Sequence, residues 1–149
     1  MENSETAYLP PPAAPEYALF TKKAITVAAG LGGPLAGAYL MAKNFRTLGR
    51  EDASRNTLTI AALLTLAFFT AVALVPASVM EKVPRFLLPL IEAWGFYLII
   101  DLYQQKDIVA HLNAGGKKGS WRVILGSVLI SILVSLAYFA IVVIIFMPD

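Results

Sequence analysis

The sequence predicts an all-α membrane protein: a bundle of four transmembrane helices behind a short, Pro-rich, disordered N-terminal tail. Three observations predict it. The chain of 149 residues is 58% hydrophobic and only 15% charged, whereas soluble domains run nearer 45–50% apolar and about 25% charged. Its charges gather in short patches. Between them lie long stretches with almost none, as the hydrocarbon of a bilayer demands.

Residues 1–20 hold Pro10, Pro11, Pro12 and Pro15, which remove backbone donors and suit neither sheet nor helix interior. They read as a flexible or polyproline-like spacer, and Pro12 and Pro15 form a PxxP spacing that an aromatic groove could dock. The four-helix domain is expected over 21–149. The first apolar stretch, 24–42, carries no charge and as a helix would reach about 28 Å at 1.5 Å per residue, close to the hydrocarbon thickness of ~30 Å. Gly30, Gly32, Gly33 and Gly37 surround Pro34, which should kink that helix. A signal peptide is the competing reading of an apolar run behind Lys22 and Lys23. The long preceding tail and the mid-run proline count against it.

A charged loop, 43–56, is expected next, with Ser54 or Asn56 capping a second helix over roughly 58–76 that stops at Pro76. The third helix is expected over 85–104, with Pro89 in its opening turns. Asp101, Gln105, Ile108 and Leu112 share one face, so the helix should protrude into the cytoplasm to about residue 113, before the Gly115-Gly116 stop. Ser120 caps the fourth helix, 121–147, and Trp121 is placed as an interfacial anchor. In this four-span arrangement Lys43, Arg46, Arg50, Arg55, Lys106, Lys117, Lys118 and Arg122 share one side, against Lys22, Lys23, Lys82 and Arg85 on the other. The positive-inside rule then puts both termini outside the cytoplasm, with Ser4 and Ala53 on opposite faces.

Small residues recur every four positions in the first stretch, as Ala29, Gly33 and Gly37 and as Ala28, Gly32 and Ala36. In lipid such faces let helix backbones approach closely. Ser127, Ser131 and Ser135 form a stripe of the same period on the fourth helix. The two surfaces are expected to meet, within one chain or between copies. The alternative leaves the serines bonded to their own helix.

Glu92 falls near the middle of the third span, where a carboxylate is costly unless paired, wetted or protonated. Three readings stay open: a proton or cation site, a neutral acid hydrogen-bonded to a neighbouring helix, or a shallow group that reaches the headgroups beside Arg85. Asp101 lies half a turn round the helix from Glu92 and suits an ion pair with Arg122 or a lysine of the third loop.

Other chemistry finds little footing. Cysteine is absent and histidine occurs once, which removes disulfides, thiolate metal sites and bis-histidine haem. His111 with Asp107 supplies too few ligands for a metal and reads as a surface histidine. The Gly115–Ser120 run lacks the preceding strand of a phosphate loop; it reads as a flexible loop touching anionic headgroups. A net charge of +2 without a basic–aromatic stripe gives no footing for nucleic acid. No cofactor, metal or catalytic residue is expected.

The run GGPLAGAYLMAKNFRTLGR, 32–50, resembles the opening of a family of small, uncharacterised bacterial multi-span membrane proteins. Gln105, Ile108, His111-Leu112, Gly115-Gly116 and Ser120-Trp121 resemble that family's second block. The resemblance implies a multi-pass protein of the bacterial inner membrane and carries over no activity. Small multidrug-resistance transporters also combine four helices with an intramembrane glutamate, but theirs lies in the first helix, and here that stretch has no charge. The expected role is structural or interactive, a bundle that assembles with itself or with a larger membrane partner in the bilayer. The alternative is a small oligomeric transporter or channel using Glu92, and an enzyme comes well behind both.

Overall fold

A chain reversal at Gly33 sets the architecture of the computed structural model, which describes residues 13–146. Strand β1 (Ala18–Leu19) leads into α1 (Lys22–Gly32), capped by the Thr21 hydroxyl accepting from the Ala24 N–H. Gly33 then takes φ 78° and ψ −176°, a conformation open essentially to glycine alone. Pro34 begins α2 (Pro34–Thr47) at the position where its missing N–H costs nothing. The stretch expected as one kinked span is therefore two helices folded back on each other. Phe20, before α1, lies beside Asn44, near the end of α2.

Small side chains allow this closeness. A Cβ on Gly37 would stand 2.8 Å from that of Ala29, and one on Gly32 would stand 2.8 Å from that of Ala36. The four-residue repeats thus face each other across the hairpin. Ala28, Ala29, Ala36 and Ala38 are buried there with Ile25, Leu40 and Met41.

A tight turn over Leu48–Arg50, with Gly49 at φ 74°, reverses the chain again into α3 (Glu51–Leu74). The expected charged loop is thus almost wholly helical. Ser54 does not cap the second helix but lies buried inside it, and Arg50 holds the cap position without a side-chain bond to the helix end. Glu51 and Asp52 in the first turn suit the positive end of the helix. A four-residue helix α4 (Ala77–Met80) follows, then α5 (Leu87–Tyr103). Gln104 breaks the helical path at φ −131°, and α6 (Gln105–Asn113) continues as a separate helix in place of a straight extension. Strand β2 (Lys117–Lys118) pairs parallel with β1, Ala18 opposite Lys117 and Leu19 opposite Lys118. The Ser120 hydroxyl accepts from the Arg122 N–H at the start of α7 (Trp121–Phe146).

Among the described residues the fold is all-α apart from that strand pair. α1 runs antiparallel to α5 and parallel to α7, while α2 packs against α3 and α7. The hairpin is the centre, with Ile25, Leu40, Ile100 and Ile108 in the core around it. Among the described residues two helices are long and apolar enough to cross a membrane, over Glu51–Val72 and Trp121–Val142, not the four expected. α5 is shorter, at 17 residues.

The expected free tail is also corrected over its described part. Leu19 and Phe20 are buried, and Tyr17 stacks on His111 at 4.7 Å. Residues 1–12 of the tail, with Pro12 of the PxxP spacing and Ser4, and Met147 at the end of the expected fourth helix, lie outside the described residues.

Alanine at Gly33 should cost about 1–3 kcal/mol through its forced positive φ. Leucine at Gly37, which would meet both Ala29 and the Phe96 ring, should prevent a stable fold. Thermal unfolding in detergent micelles checks both, and an unchanged Tm in the two variants would refute the hairpin.

Candidate functional site

Three features stand out: a polar clamp at the open end of the hairpin, a carboxylate at its tip, and two grooves along α2. The clamp is built on Asn44, which is 1% exposed. Its side-chain Oδ1 accepts from the Phe20 N–H at 2.8 Å, and its Nδ2 donates to the Phe20 carbonyl at 2.9 Å. This two-way bond imitates a strand partner and ties the entry of α1 to the exit of α2. Nδ2 also reaches Gln104 Oε1 at 3.2 Å, and Gln104 Nε2 donates to the Met41 carbonyl at 2.8 Å. The break between α5 and α6 sits at Gln104, so that residue is both hinge and clamp. Burial makes each of these bonds expensive to lose.

Ion pairs and a histidine surround the clamp. Lys22 Nζ bonds Asp101 at 2.6 Å and lies 3.3 Å from the Tyr97 ring centroid. Desolvation works against the charge on Lys22, but the Asp101 and Tyr97 interactions together outweigh it and raise its pKa above the usual value. Asp101 therefore pairs neither with Arg122 nor with a lysine of the third loop. Arg50 holds Asp107 with both guanidinium branches, at 2.8 and 3.3 Å. His111 is buried, not a surface group: its Nε2 lies 2.9 Å from the Lys117 carbonyl. A Cβ on Gly116 would collide with its ring, and one on Gly119 with the Phe20 ring, so both glycines are there for room.

At the tip, Glu92 of α5 is half-buried, with a carboxylate oxygen 4.0 Å from where a Cβ on Gly33 would stand. It has no ion-pair partner among the described residues. Beside it, the Ser131 hydroxyl donates to the Gly32 carbonyl at 2.5 Å. That carbonyl belongs to the last turn of α1, where helix acceptors run out of partners. The glycine surface and the serine stripe meet within one chain at this bond, with the Val128 backbone close against Gly32. Ser127 instead bonds the Ile124 carbonyl of its own helix at 2.7 Å. Ser135, one turn beyond Ser131, is partly buried.

The grooves flank α2. One, about 500 Å³, runs between α3 and α5 past Pro34, Met41, Ile60, Leu64 and Phe96, with Asn56 and Tyr103 at its end. The other, about 470 Å³, runs between α3 and α7 past Leu35, Leu58, Ile130 and Val134, with Lys43 at its end. Among the described residues no three His, Cys, Asp or Glu side chains gather as a metal site.

Asn44 and Gln104 escaped the sequence reading, because Asn44 sits in a run of charges that suggested a loop. Their signal was position: Phe20 and Asn44 lie at similar distances either side of Gly33-Pro34, as the ends of a hairpin must.

No protein-family model, curated protein or solved structure matches the chain. Asn44→Ala should cost about 1–3 kcal/mol by orphaning buried partners. Asp101→Asn, at a half-exposed pair, should cost less than about 1 kcal/mol. Equal losses on thermal unfolding would remove the clamp from its central place.

Proposed function

We propose that this chain is a small integral membrane protein of the bacterial inner membrane with a structural or interaction role, an assembly or accessory bundle. Three helices, α3, α5 and α7, cross the bilayer, and the α1–α2 hairpin enters and returns on one side. The observation that carries this reading is the Asn44–Phe20 clamp. It brings both ends of the hairpin to the same end of the molecule, beside Gln104 and the Ala18–Lys117 strand pair.

Two further features support it. The helices long enough to span are turned outward: Leu63, Leu64, Ile130, Leu133 and Leu136 are all exposed. The central helix of a water-soluble domain would bury such residues. Charge is also sorted more sharply than a four-span arrangement allows. Of the twelve Lys and Arg residues, all except Lys82 and Arg85 fall at the clamp end. The positive-inside rule then makes the clamp end cytoplasmic. Residues 18–20 join loops one and three there, and the far end of α7 lies outside. From the sequence both ends of the chain were expected outside, across the membrane from loops one and three; in the proposed topology residues 18–20 lie with those loops, beside Lys117 and Asn44.

A second reading, proton or cation passage at Glu92, is favoured by the place of that carboxylate at a broken helix, the arrangement transporters use near the midplane. Against it stands the end of the hairpin closed by Asn44, Gln104 and Ile100, all fully buried.

Because the chain has no cysteine, single cysteines report topology cleanly. Substitutions Glu16→Cys and Asp52→Cys should label from one side of the membrane and Glu81→Cys from the other. Labelling of Glu16→Cys from the side of Glu81→Cys would refute the re-entrant hairpin. In liposomes, neither wild type nor Glu92→Gln should pass protons or potassium; a flux lost in Glu92→Gln would replace the structural role with transport.

A further inference from the structure

The two grooves along α2 are alike in volume and differ in charge. The groove between α3 and α5 ends on neutral Asn56 and Tyr103, and the nearby Arg50 is already paired with Asp107. The groove between α3 and α7 ends on Lys43, which is exposed and has no carboxylate partner among the described residues. We infer that this second groove binds one anionic phospholipid, an acyl chain lying along α2 and the headgroup phosphate on Lys43. The inference rests on the membrane reading above.

Length, lining and charge each support it. Along α7 the groove extends from Val123 to Val134, about 16 Å at 1.5 Å per residue. That is one leaflet of a hydrocarbon core ~30 Å thick. Its walls are apolar, and both wall serines have already committed their hydroxyls, Ser127 to Ile124 and Ser131 to Gly32. Among the lining side chains, Lys43 and Tyr39 have polar atoms with no hydrogen-bond partner among the described residues; they lie one turn apart near the basic end, the Lys43 ammonium 5.8 Å from the centroid of the Phe20 ring. A cavity so lined offers ordered water too few partners and suits a long apolar chain with an anionic head. A second copy of this chain fits less well, since its apolar helices would cover Lys43 without neutralising it.

The test uses purified full-length chain in mild detergent, titrated with dioleoylphosphatidylglycerol or dioleoylphosphatidylcholine, with bound lipid counted by native mass spectrometry. Wild type should keep one phosphatidylglycerol and hold it about fivefold more tightly than phosphatidylcholine, the scale of one lysine beside an anionic headgroup. Lys43→Gln, at an exposed side chain, should remove that preference. Gly126→Leu should exclude both lipids, because a Cβ there meets nothing within 4 Å and the larger side chain projects into open groove. Circular dichroism establishes that each variant is folded. An unchanged preference in Lys43→Gln overturns the proposal, as does unchanged lipid in folded Gly126→Leu. Dimers lost in Gly126→Leu with lipid unaffected would assign the groove to a second copy and overturn it too. Failure of the membrane reading looks different: a chain that stays monodisperse without detergent.

Discussion

Everything else in the fold depends on Asn44 holding both backbone groups of Phe20. The open end of a hairpin presents a backbone that has left one helix and not yet entered another. Buried, its donor and acceptor would each be unsatisfied. One carboxamide serves both, at 2.8 and 2.9 Å, and Gln104 completes the set by bonding Asn44 and the Met41 carbonyl. Apolar burial alone would let α1 slide or rotate along α2, since alanine and glycine faces are nearly featureless. Directional bonds fix the register, and the register decides where the chain can go next.

That register has an electrostatic consequence. Folding the first stretch back returns the chain to the side it started from, so Lys22 and Lys23 join the cations of loops one and three. Crowding so many cations at one end would be repulsive without acids among them. Asp101 on Lys22 and Asp107 on Arg50 interleave the signs. These pairs link α1 to α5 and the α2–α3 turn to α6, so they extend the clamp's ties to the α2–α3 turn. They are partly exposed, so each contributes little alone.

Much of this was legible from the residues, and the failures share a cause. The helical class and the start of α7 followed from apolar run length and from Ser120. The contact of the glycine surface with the serine stripe is present as Ser131 on Gly32. What failed was counting a charge-free run as a span. Run length measures solubility in lipid and says nothing of direction, and 24–42 reverses at its midpoint. Gly33 and Pro34 were read as a kink because proline kinks helices, but a positive φ at the preceding glycine converts the kink to a turn. The same small residues that suggested a face for another helix also pack the two halves together. His111 and Asn44 were misjudged for a related reason. Polar residues in a charged neighbourhood read as surface, whereas here they line the inside of a junction between three chain segments.

In the proposed topology the hairpin turn lies deep in the bilayer, where backbone outside a helix is tolerated only if protein or water covers it. Ser131 lies about ten residues into α7, or about 15 Å from its start, and in that topology the tip would sit near the midplane of a ~30 Å core. The Gly33 N–H bonds the Ala29 carbonyl, and the Gly33 carbonyl accepts from Ala36. Pro34 has no donor to satisfy, and Ser131 takes the Gly32 carbonyl. The reversal is therefore almost self-contained, with one serine from α7 supplying what the turn lacks. Seen this way, Glu92 faces a tip whose polar groups are already engaged, and its carboxylate must find water or a proton of its own. A tip left short of partners would have made Glu92 part of the turn. The satisfied one leaves it, among the described residues, a carboxylate with no ion-pair partner to account for its retention.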